Sequence, residues 1–311
     1  MSAIRILSPG FLTTVQDLGR PGHAAAGVSA SGAADALALR IGNRLVGNFE
    51  GAAALEMTLT SASIQFETDG VIALAGAEAG ARLGGRMIAP WESVAVRAGE
   101  TLVGAALRGG ARSYLCVRGG LAVPLVFGSA STQLLTGLGG HEGRPLRSGD
   151  RLPIGTATAR PPRTGRIDPT AIPGYRPGQP FRVTEGPQAS WFTSEARTCL
   201  QESVWHVSPA CDRTGIRLTG PALMRQTPGE LLTEGVSLGA IQVPPEGLPI
   251  VLFVELQTTG GYPKIANVIS ADLARLGGLG PGDALRFEVV SRETARAALR
   301  SQEDALDDLV A

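Results

Sequence analysis

Glycine recurs through this chain without a period: 42 of 311 residues, beside 21 prolines, against a usual glycine share of roughly 7%. A strict three-residue repeat would build a triple helix. Scattered glycines instead mark places where the backbone needs a positive φ or a close approach. Such punctuation cuts a chain into short strands joined by tight turns and disfavours a helical bundle. A mainly β protein is expected. Apolar residues make up 43% of the chain, enough for a sizeable core, and its length suits two domains of about 100–200 residues each or one large β domain.

Basic and acidic side chains number 28 each, so the formal charge is zero. A neutral chain lacks the positive field that phosphate backbones or anionic lipids select, which argues against nucleic acid and membrane surfaces as partners. No apolar run approaches the roughly 20 residues of a membrane span. Pro9 and Gly10 interrupt the N-terminal apolar residues before a signal-peptide core can form. Cys116, Cys199 and Cys211 form neither a CxxC motif nor a disulfide framework, so a reducing cytoplasm is the expected location. His23, His141 and His206 are isolated, and no metal site is expected.

Residues 1–154 read as one β-barrel subdomain. A strand at Ala3–Leu7 leads to a polar loop, Thr13–Gly22, and then to a helix capped by Ser31 with Ala34, Leu37, Ile41 and Leu45 on one face. Short β-like runs follow at Ser63–Phe66, Val71–Leu74, Ser93–Val96, Thr101–Leu107 and Ser113–Val117. Residues 155–180 carry Pro161, Pro162, Pro169, Pro173, Pro177 and Pro180, which suggests an extended connector. A second β subdomain spans 181–290. From 291 to 311, Ala295, Ala298, Leu299, Gln302, Leu306 and Leu309 recur at helical spacing, as in an amphipathic helix.

Arginine supplies every basic residue but one: Lys264 is the only lysine. It lies between Pro263 and Ile265, so it belongs neither to a Walker A loop, which needs glycine before its lysine and Ser or Thr after, nor to a biotin or lipoate carrier hairpin. It closes the segment Gln257-Thr258-Thr259-Gly260-Gly261-Tyr262-Pro263-Lys264. Two glycines after a polar strand end can let backbone N–H groups converge on an anion, with Tyr262 and Lys264 adding a hydroxyl and a charge. The plain alternative is a glycine hairpin carrying a surface lysine.

A second cluster joins His206, Ser208, Cys211, Asp212, Arg213 and Arg217 beyond a strand. Histidine near a thiol invites a nucleophile reading. A structural turn built on Asp212, or anion binding by Arg213 or Arg217, competes with it. A third cluster, Gln16, Asp17 and Arg20, suits either a barrel mouth or a turn network before the following helix.

Thr13-Thr14-Val15-Gln16-Asp17-Leu18-Gly19-Arg20-Pro21-Gly22, Ser31-Gly32-Ala33, Asn43-Arg44-Leu45-Val46-Gly47-Asn48, His206-Val207-Ser208-Pro209 with Asp212-Arg213, Glu234-Gly235-Val236 with Gly239-Ala240-Ile241-Gln242-Val243-Pro244, and Gln257–Lys264 follow one another along the chain. In this order they resemble the allophanate-hydrolase subunit 2 family. That family takes in the C component of 5-oxoprolinase, KipA-type proteins and the carboxyltransferase domain of urea amidolyase. Cys211 stands where serine is usual, and Glu255-Leu256 replaces a more usual Asp-x before Gln257.

The resemblance implies cyclophilin-like β-barrel subdomains and a complex with the other two 5-oxoprolinase components, the KipI-like B component and the A component. It implies ATP-dependent opening of 5-oxo-L-proline to L-glutamate, with ATP bound on or shared with a partner. The alternatives are a biotin-dependent carboxyltransferase component and a non-catalytic KipA-type protein that binds a KipI-like kinase inhibitor. Under the leading reading, Lys264, Arg213 and His206 are the catalytic candidates. Gln257, Thr258, Thr259, Gly260, Gly261, Tyr262, Gln242, Ser208 and Asp212 would bind substrate, with Asp17 and Arg20 shaping the facing wall.

Overall fold

The structure, a computed structural model, describes residues 2–172, 178–227, 229 and 231–309. Its contacts separate two compact units. One comprises Met1–Pro21, Ser31–Ile172 and Leu306–Ala311, and the other Gly22–Ala30 and Pro173–Ala305.

The first unit contains two antiparallel sheets. One runs in the order Arg151–Pro153, Ala3–Ser8, Ser63–Phe66, Thr101–Val103, Arg82–Leu83, Arg86–Met87. The other runs Leu12–Gln16, Ala54–Thr58, Arg108–Val117, Gly70–Glu78, Ser93–Val96. Ile4, Ile64 and Leu102 from the first meet Leu55, Ile72 and Leu115 from the second in one core, the arrangement of sheets packed through their apolar faces. The polar run at 13–22 is only partly a loop: Leu12–Gln16 pairs with Ala54–Thr58 along the sheet edge. Thr13, Thr14 and Val15 are β-branched, and that stiffness favours the pleated backbone.

Helix Ala36–Leu45 packs on strands Gly70–Glu78 and Arg108–Val117. Gly42 permits the approach, since a Cβ there would lie 2.7 Å from Cys116 Sγ. Its cap is Asp35, which accepts from the Ala38 N–H at 2.9 Å, and not the expected Ser31. Ser31 has φ of 53° and its hydroxyl donates to the Thr132 carbonyl instead. Buried Glu56 braces the helix start: its carboxylate accepts from the Ala34 N–H at 2.8 Å and the Tyr114 hydroxyl at 2.7 Å. Burial first, then the neighbouring carboxylates, push the Tyr114 hydroxyl well above its ordinary pKa.

The proline-rich stretch as far as Ile172 belongs to this unit. Arg163 N–H donates to the Leu45 carbonyl and Ile167 N–H to the Trp91 carbonyl, both at 2.8 Å. The residues between the prolines keep their donors, and those donors fasten this part of the segment. Pro173 and Pro177 lie outside the described residues.

The second unit is built on an eight-stranded sheet in the order Ala284–Leu285, Trp205–Val207, Gly215–Thr219, Ile250–Leu252, Ala240–Gln242, Lys264–Val268, Phe181–Glu185, Phe287–Val289. Its two outermost strands are separated in sequence only by Arg286, so the sheet must curl until its edges nearly meet. The result is a nearly closed barrel. A short ribbon, Glu234–Gly235 paired with Thr259–Gly260, supplements it.

Helix Ser194–Glu202, absent from the sequence expectation, starts at Thr193, whose hydroxyl accepts from the Ala196 N–H. It buries only Ala196 and Leu200, too little for a visible periodic stripe. The tail forms helix Arg292–Leu309, with the Ser291 hydroxyl accepting from the Thr294 N–H. Ala295, Ala298, Leu299, Gln302 and Leu309 are half-buried and Leu306 fully buried, the face expected from the spacing. Among the described residues, no helix is long and apolar enough to cross a membrane.

Candidate functional site

Lys264 opens strand Lys264–Val268 in the second unit and is only 4% exposed. Burying an ammonium demands a partner, and Glu234 Oε1 supplies it. Gln188 Nε2 donates to the same oxygen at 2.9 Å, while Gln188 Oε1 accepts the Lys264 backbone N–H at 3.1 Å. The ammonium, and then the Gln188 amide, hold the Glu234 carboxyl below its ordinary pKa. Gly186 brings the preceding segment against the strand: a Cβ there would stand 2.3 Å from the Lys264 carbonyl oxygen.

Gln242, 1% exposed, lies opposite Lys264 in the neighbouring strand, beside a register shift. Its Oε1 accepts from Gln257 Nε2 at 3.3 Å, and its own Nε2 has no hydrogen-bond partner among the described residues. Gly260 sits against both amides: a Cβ would lie 2.7 Å from Gln242 Nε2 and 3.3 Å from Gln257 Nε2. Gly260 is also the cross-ribbon partner of Glu234. Lys264, Glu234, Gln188, Gln242, Gln257 and Gly260 therefore form one constellation.

The glycine pair does not act as the converging N–H nest that the sequence suggests. Neither Gly260 nor Gly261 has a positive φ, and Gly260 is part of a strand. Glycine is required here because two amides crowd its Cα. Thr258 offers its backbone carbonyl to the Val236 N–H, Thr259 is exposed opposite Gly235, and Tyr262 is 47% exposed.

The second cluster is dispersed. His206 is exposed on a strand whose neighbours Trp205 and Val207 are buried, and three strands separate it from Lys264 along the sheet. Arg213 is buried and ion-paired with Glu255, so the acid standing in the unusual position before Gln257 neutralises it. Asp212 Oδ1 accepts from the Thr214 and Gly215 N–H groups at 2.8 and 3.0 Å, and the Ser208 hydroxyl accepts from the Ala210 N–H. These are the bonds of a structural turn.

The third cluster lies in the first unit and is equally committed. Asp17 accepts from Gly19 N–H, Ala130 N–H and the hydroxyls of Ser129 and Ser131, at 2.5–2.7 Å. Arg20 donates to the carbonyls of Val126 and Ser131. Both fasten one loop to the sheet edge. The two residues missing from the sequence expectation are Gln188 and Glu234. Glu234 belongs to the Glu234-Gly235-Val236 segment of the family order, yet nothing in the linear pattern couples it to Lys264. Among the described residues, no group of three His, Cys, Asp or Glu side chains is placed to hold a metal.

The carboxyltransferase domain family, subdomains A and B, matches residues 26–289. The chain is 41% identical to the C component of 5-oxoprolinase from Escherichia coli, over 98% of this chain and 97% of that one. Identity with the corresponding component of Haemophilus influenzae is 37%, with equal coverage. The crystal structure of the K. lactis urea amidolyase superposes with a TM-score of 0.92 at 31% identity, covering 99% of this chain and 20% of that much longer one. These matches run through both units and carry the Lys264 strand within them: the chain belongs to the carboxyltransferase domain family of subdomains A and B.

Proposed function

We propose that this chain is the C component of a 5-oxoprolinase, acting with a KipI-like B component and an A component to open 5-oxo-L-proline to L-glutamate with consumption of ATP. The observation that carries the reading is the 41% identity with the Escherichia coli protein over 98% of this chain and 97% of that one. In this reading Lys264, Gln242 and Gln257 face the substrate. A lactam is a poor electrophile, and fixed positive charge with aligned N–H donors stabilises the negative oxygen that develops when it is attacked.

The residues around Lys264 do not make a triphosphate cradle. The ammonium is alone and already paired, and the Gly260–Gly261 backbone has the wrong curvature for a nest. ATP, in this reading, binds on or is shared with a partner in the complex. In this reading His206, Ser208 and Asp212 take structural roles, Arg213 is held by Glu255, and Asp17 with Arg20 supports the fold of the first unit.

The superposition on urea amidolyase favours one other reading, a component that transfers a carboxyl group from carboxybiotin. The test is ATP-dependent glutamate release by the chain copurified with its partners. Wild type should turn over, and Lys264→Met should lose at least about a hundredfold in kcat while keeping its melting temperature. Full activity in Lys264→Met would remove Lys264 from the chemistry. Biotin-dependent carboxylation of urea, without glutamate release, would favour the other reading.

A further inference from the structure

Gln242 presents an anomaly. It is among the most buried polar side chains of its unit, yet among the described residues its Nε2 has no acceptor. Native interiors rarely leave a buried donor without an acceptor, and each exception calls for an explanation such as strain, a catalytic role or a bound water or ion. Gln257 Nε2 donates to the other end of this amide, Oε1, at 3.3 Å, and Gly260 lies against its Nε2. Gln242 and Lys264 oppose each other across adjacent strands at a register shift. Glu234, which pairs with the Lys264 ammonium, is the cross-ribbon partner of the Gly260 that lies against Gln242 Nε2. This corner of the barrel thus carries a buried ammonium and a buried N–H without an acceptor among the described residues.

A carboxylate has two oxygens and suits two such donors. Glu234 reaches only one of them: its Oε1 serves Lys264 and Gln188. The side chain of Glu234 is 43% exposed, while that of Lys264 is 5% exposed. Glu234 sits on a two-stranded ribbon that belongs to no larger sheet. The acid is the movable partner and the ammonium the fixed one.

We propose that Lys264 Nζ and Gln242 Nε2 together receive the carboxylate of a small ring acid, and that Glu234 occupies the Lys264 half of this receptor until the acid displaces it. The choice of ring acid rests on the 5-oxoprolinase reading; the exchange of one carboxylate for another does not.

Calorimetry on the full chain tests this with L-5-oxoproline, cyclopentanecarboxylate (the acid without the lactam) and 2-pyrrolidinone (the lactam without the acid). Glu234→Gln removes the internal competitor and should tighten both acids about tenfold, leaving 2-pyrrolidinone unchanged. Gln242→Leu should weaken both acids by a similar factor. In the unmutated chain, the Gln242 side-chain amide resonance should shift on adding either acid and stay still with 2-pyrrolidinone, a readout that needs no variant to fold. If cyclopentanecarboxylate shows the whole pattern and 5-oxoproline binds no better, the receptor stands and the 5-oxoproline reading falls. Unchanged acid affinity in Glu234→Gln, or an unmoved Gln242 resonance, overturns the inference.

Discussion

Gln188 grips Lys264 on both sides of the residue: its Oε1 accepts the Lys264 N–H at 3.1 Å, and its own backbone N–H donates to the Lys264 carbonyl at 3.2 Å. The first bond is lost in Gln188→Leu, which leaves a buried N–H without an acceptor at a cost of about 1–3 kcal/mol. Urea unfolding should show that loss as a lower midpoint. Gln188→Glu keeps the acceptor but sets a second carboxylate beside Glu234, so it should destabilise less at low pH than at neutral pH.

The crowding at Gly260 predicts a contrast across one ribbon. Gly260→Ala drives a Cβ to 2.7 Å from Gln242 Nε2, whereas a Cβ at Gly235, on the opposite strand, meets nothing within 4 Å. Gly260→Ala should cost about 1–3 kcal/mol by overpacking and abolish binding that depends on Gln242. Gly235→Ala should leave both stability and binding intact.

In the first unit, four hydrogen bonds converge on Asp17. Asp17→Ala strands two hydroxyls and two N–H groups at once. A stability loss of at least about 3 kcal/mol is expected, measured by chemical denaturation. Asp17→Asn, which retains one acceptor oxygen, should lose less.

Asp150 predicts a sensitivity to acid. The Arg144 hydrogen bond, and then the Arg147 backbone N–H, lower its pKa to about 2 against some cost of burial. A carboxyl whose folded pKa lies below its unfolded value stabilises the fold above the unfolded pKa, near roughly 3.9. That contribution is lost as pH falls from about 4 to about 2. Asp150→Asn should flatten the fall in melting temperature across that window and lower stability at neutral pH.

Much of the architecture was legible because its signals are local. Glycine spacing pointed to a β protein, and the 3.6-residue rhythm of Ala295 to Leu309 marked the tail helix together with its buried face. Other features escaped because they depend on distant partners. Asp35 rather than Ser31 caps the first helix, since Thr132 claims the Ser31 hydroxyl. The strand Ala54–Thr58 is buried at every position, so it shows no alternation to read. At the candidate site, the lysine and the glycine pair could be found in the sequence, but the reason for the glycines could not. Gly260 is crowded by Gln257 of its own segment and by Gln242 from another strand, while Gly261 lies against the Leu231 carbonyl. Gln188 and Glu234 are ordinary residues in sequence and become specific only where the strands bring them to Lys264.

Because the one lysine is walled in by Glu234 and Gln188, it is also a built-in spectroscopic handle. Reductive methylation with isotopically labelled formaldehyde can yield a single side-chain signal, and its rate of appearance would time how often the acidic ribbon swings aside. No tag has to be engineered to watch that motion.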